Sequence, residues 1–132
     1  MKKLIIFDLK GTLADQQFVI ARDYDKIFSY LKANSIKTAL YSMNESWTYK
    51  VANRLASDFE VFEKVLLVSS KRVEDIKALC LGYEMSDVIV VGDGEEINIA
   101  KSMGIQTVLL DALATIENVV DAIEGACNDT CI

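Results

Sequence analysis

Leu4-Ile5-Ile6-Phe7-Asp8-Leu9-Lys10-Gly11-Thr12-Leu13 is the stretch from which the rest of the chain can be read. Four apolar residues without polar alternation describe a strand covered on both faces, and the carboxylate that follows ends it. Met1-Lys2-Lys3 ahead of an apolar run has the outline of a secretory leader, but four apolar residues ending in an aspartate are too few for a leader's core. Asp8 is therefore expected at the C-terminal end of a buried strand. Gly11, close behind it, lets backbone amides approach an anion.

Four further apolar runs follow: Thr38–Tyr41, Val65–Val68, Val88–Val91 and Thr107–Leu110. The segments between them have helical spacing. Tyr24, Ile27, Phe28 and Leu31 recur at i, i+3, i+4 and i+7, as do Ile116, Val119, Val120 and Ile123. Trp47, Val51 and Leu55 make a one-sided stripe, as do Val73, Ile76 and Cys80, and Ile99, Ala100 and Met103 mark a short helix stopped by Gly104. Strand and helix alternate five times. This order predicts a single three-layer α/β domain over residues 1–132, Rossmann-like, with a five-stranded parallel sheet and helices on both faces. Ligands of such sheets lie beyond the carboxyl ends of the strands, near the point where the strand order reverses.

The bulk composition is consistent with one globular domain. The chain has 132 residues, of which 52% are hydrophobic and 26% charged. No apolar run reaches the roughly 18 residues of a membrane span, so no membrane contact and a cytoplasmic location are expected. A net charge of −6 disfavours general nucleic-acid binding, which rests on basic residues neutralising phosphates. It leaves room for a phosphorylated substrate, because a few local cations set the potential of one cleft. Three cysteines without a histidine are too few soft ligands for a closed zinc site. Cys80 is read as a core residue, and Cys127 and Cys131 as a tail pair able to meet on a helix or to form a bridge.

The chemistry-bearing residues gather at the predicted strand ends. The first strand ends in Asp8, the second in Ser42-Met43-Asn44, the third runs into Ser69-Ser70-Lys71-Arg72, and the fourth ends in Gly92-Asp93-Gly94-Glu95-Glu96. A strand-end carboxylate can attack phosphorus. A hydroxyl and a lysine can stabilise the equatorial oxygens of a transferring phosphoryl group. Further carboxylates suit Mg²⁺, which prefers hard oxygen ligands. Alone, Asp8 reads as a turn residue, Ser42 as a helix cap and Lys71 as a solvated charge; their shared place at strand ends gives them the other role. Glu95 and Glu96 can equally be favourable charges at a helix N-terminus.

These motifs, in this order and over nearly the whole chain, resemble the haloacid-dehalogenase superfamily of phosphatases and related hydrolases. Phe7–Leu13 is similar to its first motif, Ser42 to its second, Lys71 to its third, and Val88–Val108 to its fourth with the helix and strand beyond. The resemblance implies Asp8 as a nucleophile that forms an aspartyl-phosphate. It implies a phosphate held by Leu9, Lys10, Ser42, Met43 and Lys71, and Mg²⁺ held by Asp8, the backbone carbonyl of Lys10, Asp93 and Glu96. Anchoring the fourth motif on its helix places Glu96, rather than Ile97, where the family's second acid stands.

Lys10 departs from the family, whose phosphatases carry there the aspartate that protonates the leaving oxygen and then activates water. An ordinary lysine, with a pKa of about 10.4, holds no free electron pair for water at neutral pH. A slow phosphatase, an enzyme of altered chemistry and a domain that binds without turnover all stay open. No cap domain is expected: residues 14–41 and 43–70 span 28 positions each, and each gap already holds a helix and a strand. The open site would be covered by a large, macromolecular phosphorylated substrate or by a second copy of the chain, with Phe18, Val19 and Ile20 as candidate contacts. A receiver domain fits less well, because its phosphorylated aspartate lies on the third strand after an acidic pair on the first.

Overall fold

Apolar strands with no polar alternation must be covered on both faces, and the computed structural model shows how. It describes residues 3–9, 24–44, 48, 50, 53–54, 62–109, 121 and 125. The elements in chain order are β1 (Leu4–Phe7), α1 (Tyr24–Ala33), β2 (Lys37–Met43), β3 (Phe62–Val68), α2 (Val73–Leu79), a 3₁₀ turn (Met85–Asp87), β4 (Val88–Gly92), α3 (Glu95–Ser102) and β5 (Gln106–Leu109). The strands form one sheet in the order β3-β2-β1-β4-β5, all parallel. The expectations for Lys10 to Leu13, Phe18 to Ile20, Trp47, Val51 and Leu55, Ile116 to Ile123, and Cys127 and Cys131 lie outside the described residues.

Every residue of β1 and β4 is buried, as their runs predict. From β1 the chain steps outward through β2 to β3, then returns to the other side of β1 for β4 and β5. The order therefore reverses beside β1, which puts Asp8 next to the switch point.

The pleat sends alternate residues to opposite faces. Leu4 and Ile6 of β1, Ala39 and Tyr41 of β2, and Val88 and Val90 of β4 share a core with Ile76 and Leu79 of α2 and Ile97 and Ala100 of α3. On the other face Phe28 of α1 meets Phe7 edge-to-face, with ring centroids 6.0 Å apart, and meets Phe62 of β3 at 6.0 Å. Cys80 is buried and caps α2, as its apolar setting predicts.

Helix ends are set locally. After α3 the amide of Gly104 donates to Lys101 O and that of Ile105 to Ala100 O, a Schellman turn that needs the left-handed φ of +76° at Gly104. α1 ends the same way, with Ser35 in the left-handed position (φ 56°) and Ile36 N–H on Leu31 O. Among the described residues no helix is long and apolar enough to cross a membrane, and no cap domain is present.

Candidate active site

A parallel sheet aligns the carboxyl ends of its strands, so residues far apart in the chain meet along one rim. Phe7 is in register with Leu40 of β2 and Val91 of β4, and the Asp8 amide donates to Val91 O at 3.0 Å. Asp8 thus sits level with Tyr41 and Gly92. Two residues on from Ile6, it falls on the face that α2 and α3 cover. Lys71, just before α2, and Glu96, in the first turn of α3, arrive over that same face.

Lys71 Nζ joins two carboxylates. It donates to Asp8 Oδ1 at 3.0 Å and to Glu96 Oε2 at 2.7 Å. The side chains of Lys71, Asp8 and Glu96 are only 5%, 9% and 1% exposed, so these are desolvated, charge-assisted bonds. The other Glu96 oxygen, Oε1, accepts the amides of Asp93 and Gly94, each at 2.9 Å. A Cβ at Gly92 would collide with the Glu96 carboxylate. The glycine is what lets this carboxylate fold back against β4.

The two buried acids respond differently. Burial, only partly offset by the charge of Lys71 and reinforced by the nearby Glu96 charge, pushes the Asp8 carboxyl up to about 7. Burial works to raise Glu96 as well, but the hydrogen bond and charge of Lys71 and the backbone amides hold it below its ordinary value. Glu96 is thus the settled anion of the cluster, while Asp8 has the weaker claim on Lys71.

Of the sequence-predicted residues, Lys10 lies outside the described residues and the others can be placed. Asp8, Lys71, Asp93 and Glu96 come together. Ser42 is buried at 3% exposure near the end of β2, and Leu9 is fully buried beyond Asp8. Met43 is exposed at the rim, and its carbonyl accepts the Thr48 hydroxyl at 3.0 Å. Glu95 is exposed, so Glu96 is the glutamate that enters the site.

Oxygen atoms of Asp8, Asp93 and Glu96 lie within 4.8 Å of one another. That all-oxygen donor set fits a hard divalent cation such as Mg²⁺.

Sequence reasoning missed Tyr41 and Asp75. The Tyr41 hydroxyl donates to Asp75 Oδ2 at 2.6 Å, and both oxygens accept the Arg72 amide at 3.0 Å. Asp75, an acid three residues after the helix N-cap, is a signal of a capped helix start. Nothing in the strand pattern marks Tyr41 as its partner.

No family model matches the chain, and no curated protein matches it. Solved structures do. An uncharacterised protein from Corynebacterium glutamicum superposes with a TM-score of 0.74 at 20% identity, covering 96% of each chain. D,D-heptose 1,7-bisphosphate phosphatase from B. bronchiseptica, complexed with magnesium and phosphate, gives 0.67 at 11% identity over 93% of this chain and 86% of its own. A Bacillus subtilis protein described as a HAD-hydrolase, bound to magnesium, gives 0.64 at 8% identity over 96% and 99%. What these structures share with the chain is its fold, the haloacid-dehalogenase-like arrangement of a parallel sheet between helices.

Proposed function

We propose that the protein is a Mg²⁺-dependent phosphohydrolase acting through an aspartyl-phosphate on Asp8. The observation that carries the reading is the buried contact of Lys71 with Asp8 Oδ1, within a cluster where Asp93 and Glu96 supply further carboxylate oxygens. Asp8 and Asp93 would hold Mg²⁺, with the Lys10 carbonyl and Glu96 completing the set. Bound there, the ion would neutralise phosphate charge and favour the ionised form of Asp8.

An Asp8 carboxylate oxygen attacks phosphorus as the bond to the leaving oxygen breaks. The Ser42 hydroxyl and the Lys71 ammonium hold the equatorial oxygens of the group in transfer. Water then cleaves the acyl phosphate, releasing inorganic phosphate and restoring Asp8. A protonated Lys10 can give its proton to the leaving oxygen, and the amine so formed can take one from water. The substrate is a phosphorylated molecule, and a macromolecular one suits a site with no cap among the described residues.

One sequence feature favours a second reading, a domain that binds without turnover: Lys10 in place of the family's aspartate. Hydrolysis of a generic aryl phosphate with Mg²⁺ by the wild type, Asp8→Asn and Lys10→Asp separates the two. The enzyme reading expects turnover in the wild type that vanishes in Asp8→Asn. Turnover in Lys10→Asp alone would instead mark a binding domain.

A further inference from the structure

Lys71 must reach from the loop after β3 to a carboxylate at the end of β1, two strands away. A lysine side chain has four rotatable carbons with which to miss that target. The strand it crosses is β2, and the residue of β2 beneath the crossing is Tyr41. The Tyr41 ring centroid lies 5.3 Å from Lys71 Nζ, within reach of a cation–π attraction. Its hydroxyl donates to Asp75 Oδ2 at 2.6 Å and accepts the Arg72 amide at 3.0 Å, while Asp75 Oδ2 accepts that amide at 3.0 Å too. The three groups close a triangle on the residue next to Lys71, at the point where its side chain leaves the backbone.

We propose that Tyr41 is a positioning residue for Lys71: its ring is the surface on which the ammonium rests, and its hydroxyl, through Arg72 and Asp75, fixes the turn from which the lysine departs. The inference rests on the phosphohydrolase reading for its purpose, which is to aim Lys71 at the phosphoryl oxygens beside Asp8. Tyr41 is fully buried, and a purely packing residue there would need no hydroxyl. Burial, with the Asp75 carboxylate beside it, pushes the phenol well above its ordinary range, so the hydroxyl stays a neutral donor at any working pH. Glu96 holds the far end of the lysine, and Tyr41 holds its root. Phenylalanine fills the same space on the strand but cannot close the triangle.

The test reads Lys71 directly, by ¹⁵N NMR of its side-chain ammonium, with the signal assigned by its loss in Lys71→Gln. Binding of inorganic phosphate in the presence of Mg²⁺, measured by calorimetry, is the second readout. In Tyr41→Phe the ammonium signal is expected to shift and to exchange faster with water. Phosphate affinity is expected to fall by up to about tenfold, the worth of one well-made hydrogen bond. In the Lys71→Gln background Tyr41→Phe should weaken phosphate no further. Asp75→Asn, at a partly exposed helix start, should move the ammonium signal in the same direction, and it serves as the deciding variant if Tyr41→Phe does not fold. An unmoved ammonium signal in a folded Tyr41→Phe, even with a lower melting temperature, overturns the proposal. So does an equal loss of phosphate affinity with and without Lys71. A wild type that binds no phosphate would sink the phosphohydrolase reading instead, and the ammonium signal would still decide the role of Tyr41.

Discussion

Asp8 is held between two demands, since burial resists its charge while the chemistry proposed for it needs the carboxylate. Its pKa rises on folding from 3.8 to about 7. Below about pH 4 folded and unfolded chains both keep the proton, and the group does not oppose folding. As pH rises toward 7 the unfolded chain gives the proton up while the folded one retains it, so stability falls across that window. The chain has no histidine, so few other side chains titrate there. Glu96, whose pKa is lowered, acts with the opposite sign and only at lower pH. The urea midpoint of the metal-free protein, kept in chelator, is therefore expected to drop between about pH 5 and 7.5, and Asp8→Asn should flatten the profile. An equally steep profile in the variant would remove Asp8 as its cause. Asp8, Ser42, Lys71 and Asp93 were legible in the sequence because each follows an apolar run. Tyr41 was not, because its partner Arg72 stands 31 residues away.

Among the elements, the central strands follow the sequence most closely: β1 is the four-residue run that the apolar stretch predicts. β2 and β3 extend beyond theirs, through Lys37 and through Phe62, Glu63 and Lys64. Lys37 opens β2 level with Leu4 of β1, whereas the added residues of β3 lie at the margin of the sheet, where β3 pairs only with β2. An edge strand needs cover on fewer sides and so tolerates charged residues. The junction of β4 and α3 is tighter, because Glu96 folds back over Gly92 and gathers the amides of Asp93 and Gly94. Gly92→Ala is expected to cost about 1–3 kcal/mol, since the Glu96 carboxylate must leave its partners to make room. Gly104→Ala, where nothing stands within 4 Å of a Cβ, should cost only the backbone strain of a positive φ, about 1–2 kcal/mol. Urea unfolding compares the two, and phosphate binding separates them further, because only Gly92→Ala should disturb Lys71.

Over the whole molecule, one end of the sheet collects three carboxylates around one ammonium, in a chain that already carries a net charge of −6. A divalent cation bound there would relieve the like-charge repulsion, and a site assembled from three strand and helix ends would favour the folded state. Mg²⁺ at a hundred times its dissociation constant should therefore raise stability by about 2.7 kcal/mol. The rise should appear as a higher melting temperature with Mg²⁺ than in chelator, and Asp93→Asn should abolish most of it. An unchanged shift in that variant would place the ion elsewhere.

The sequence by itself determined the five strands, the helices before β2, β4 and β5, and the setting of Asp8, Ser42, Lys71 and Asp93 at strand ends, because hydrophobic period and turn residues are local properties. It also carried the resemblance that foretold the fold. Only the tertiary structure decided that Glu96 and not Glu95 enters the site, that Lys71 closes on an aspartate 63 residues away, and that Tyr41 lies beneath it. It decided as well that Asp8 is the reluctant acid of the pair. These follow from the order of strands across the sheet and from the burial it imposes, which set distances and desolvation between residues that no local pattern relates.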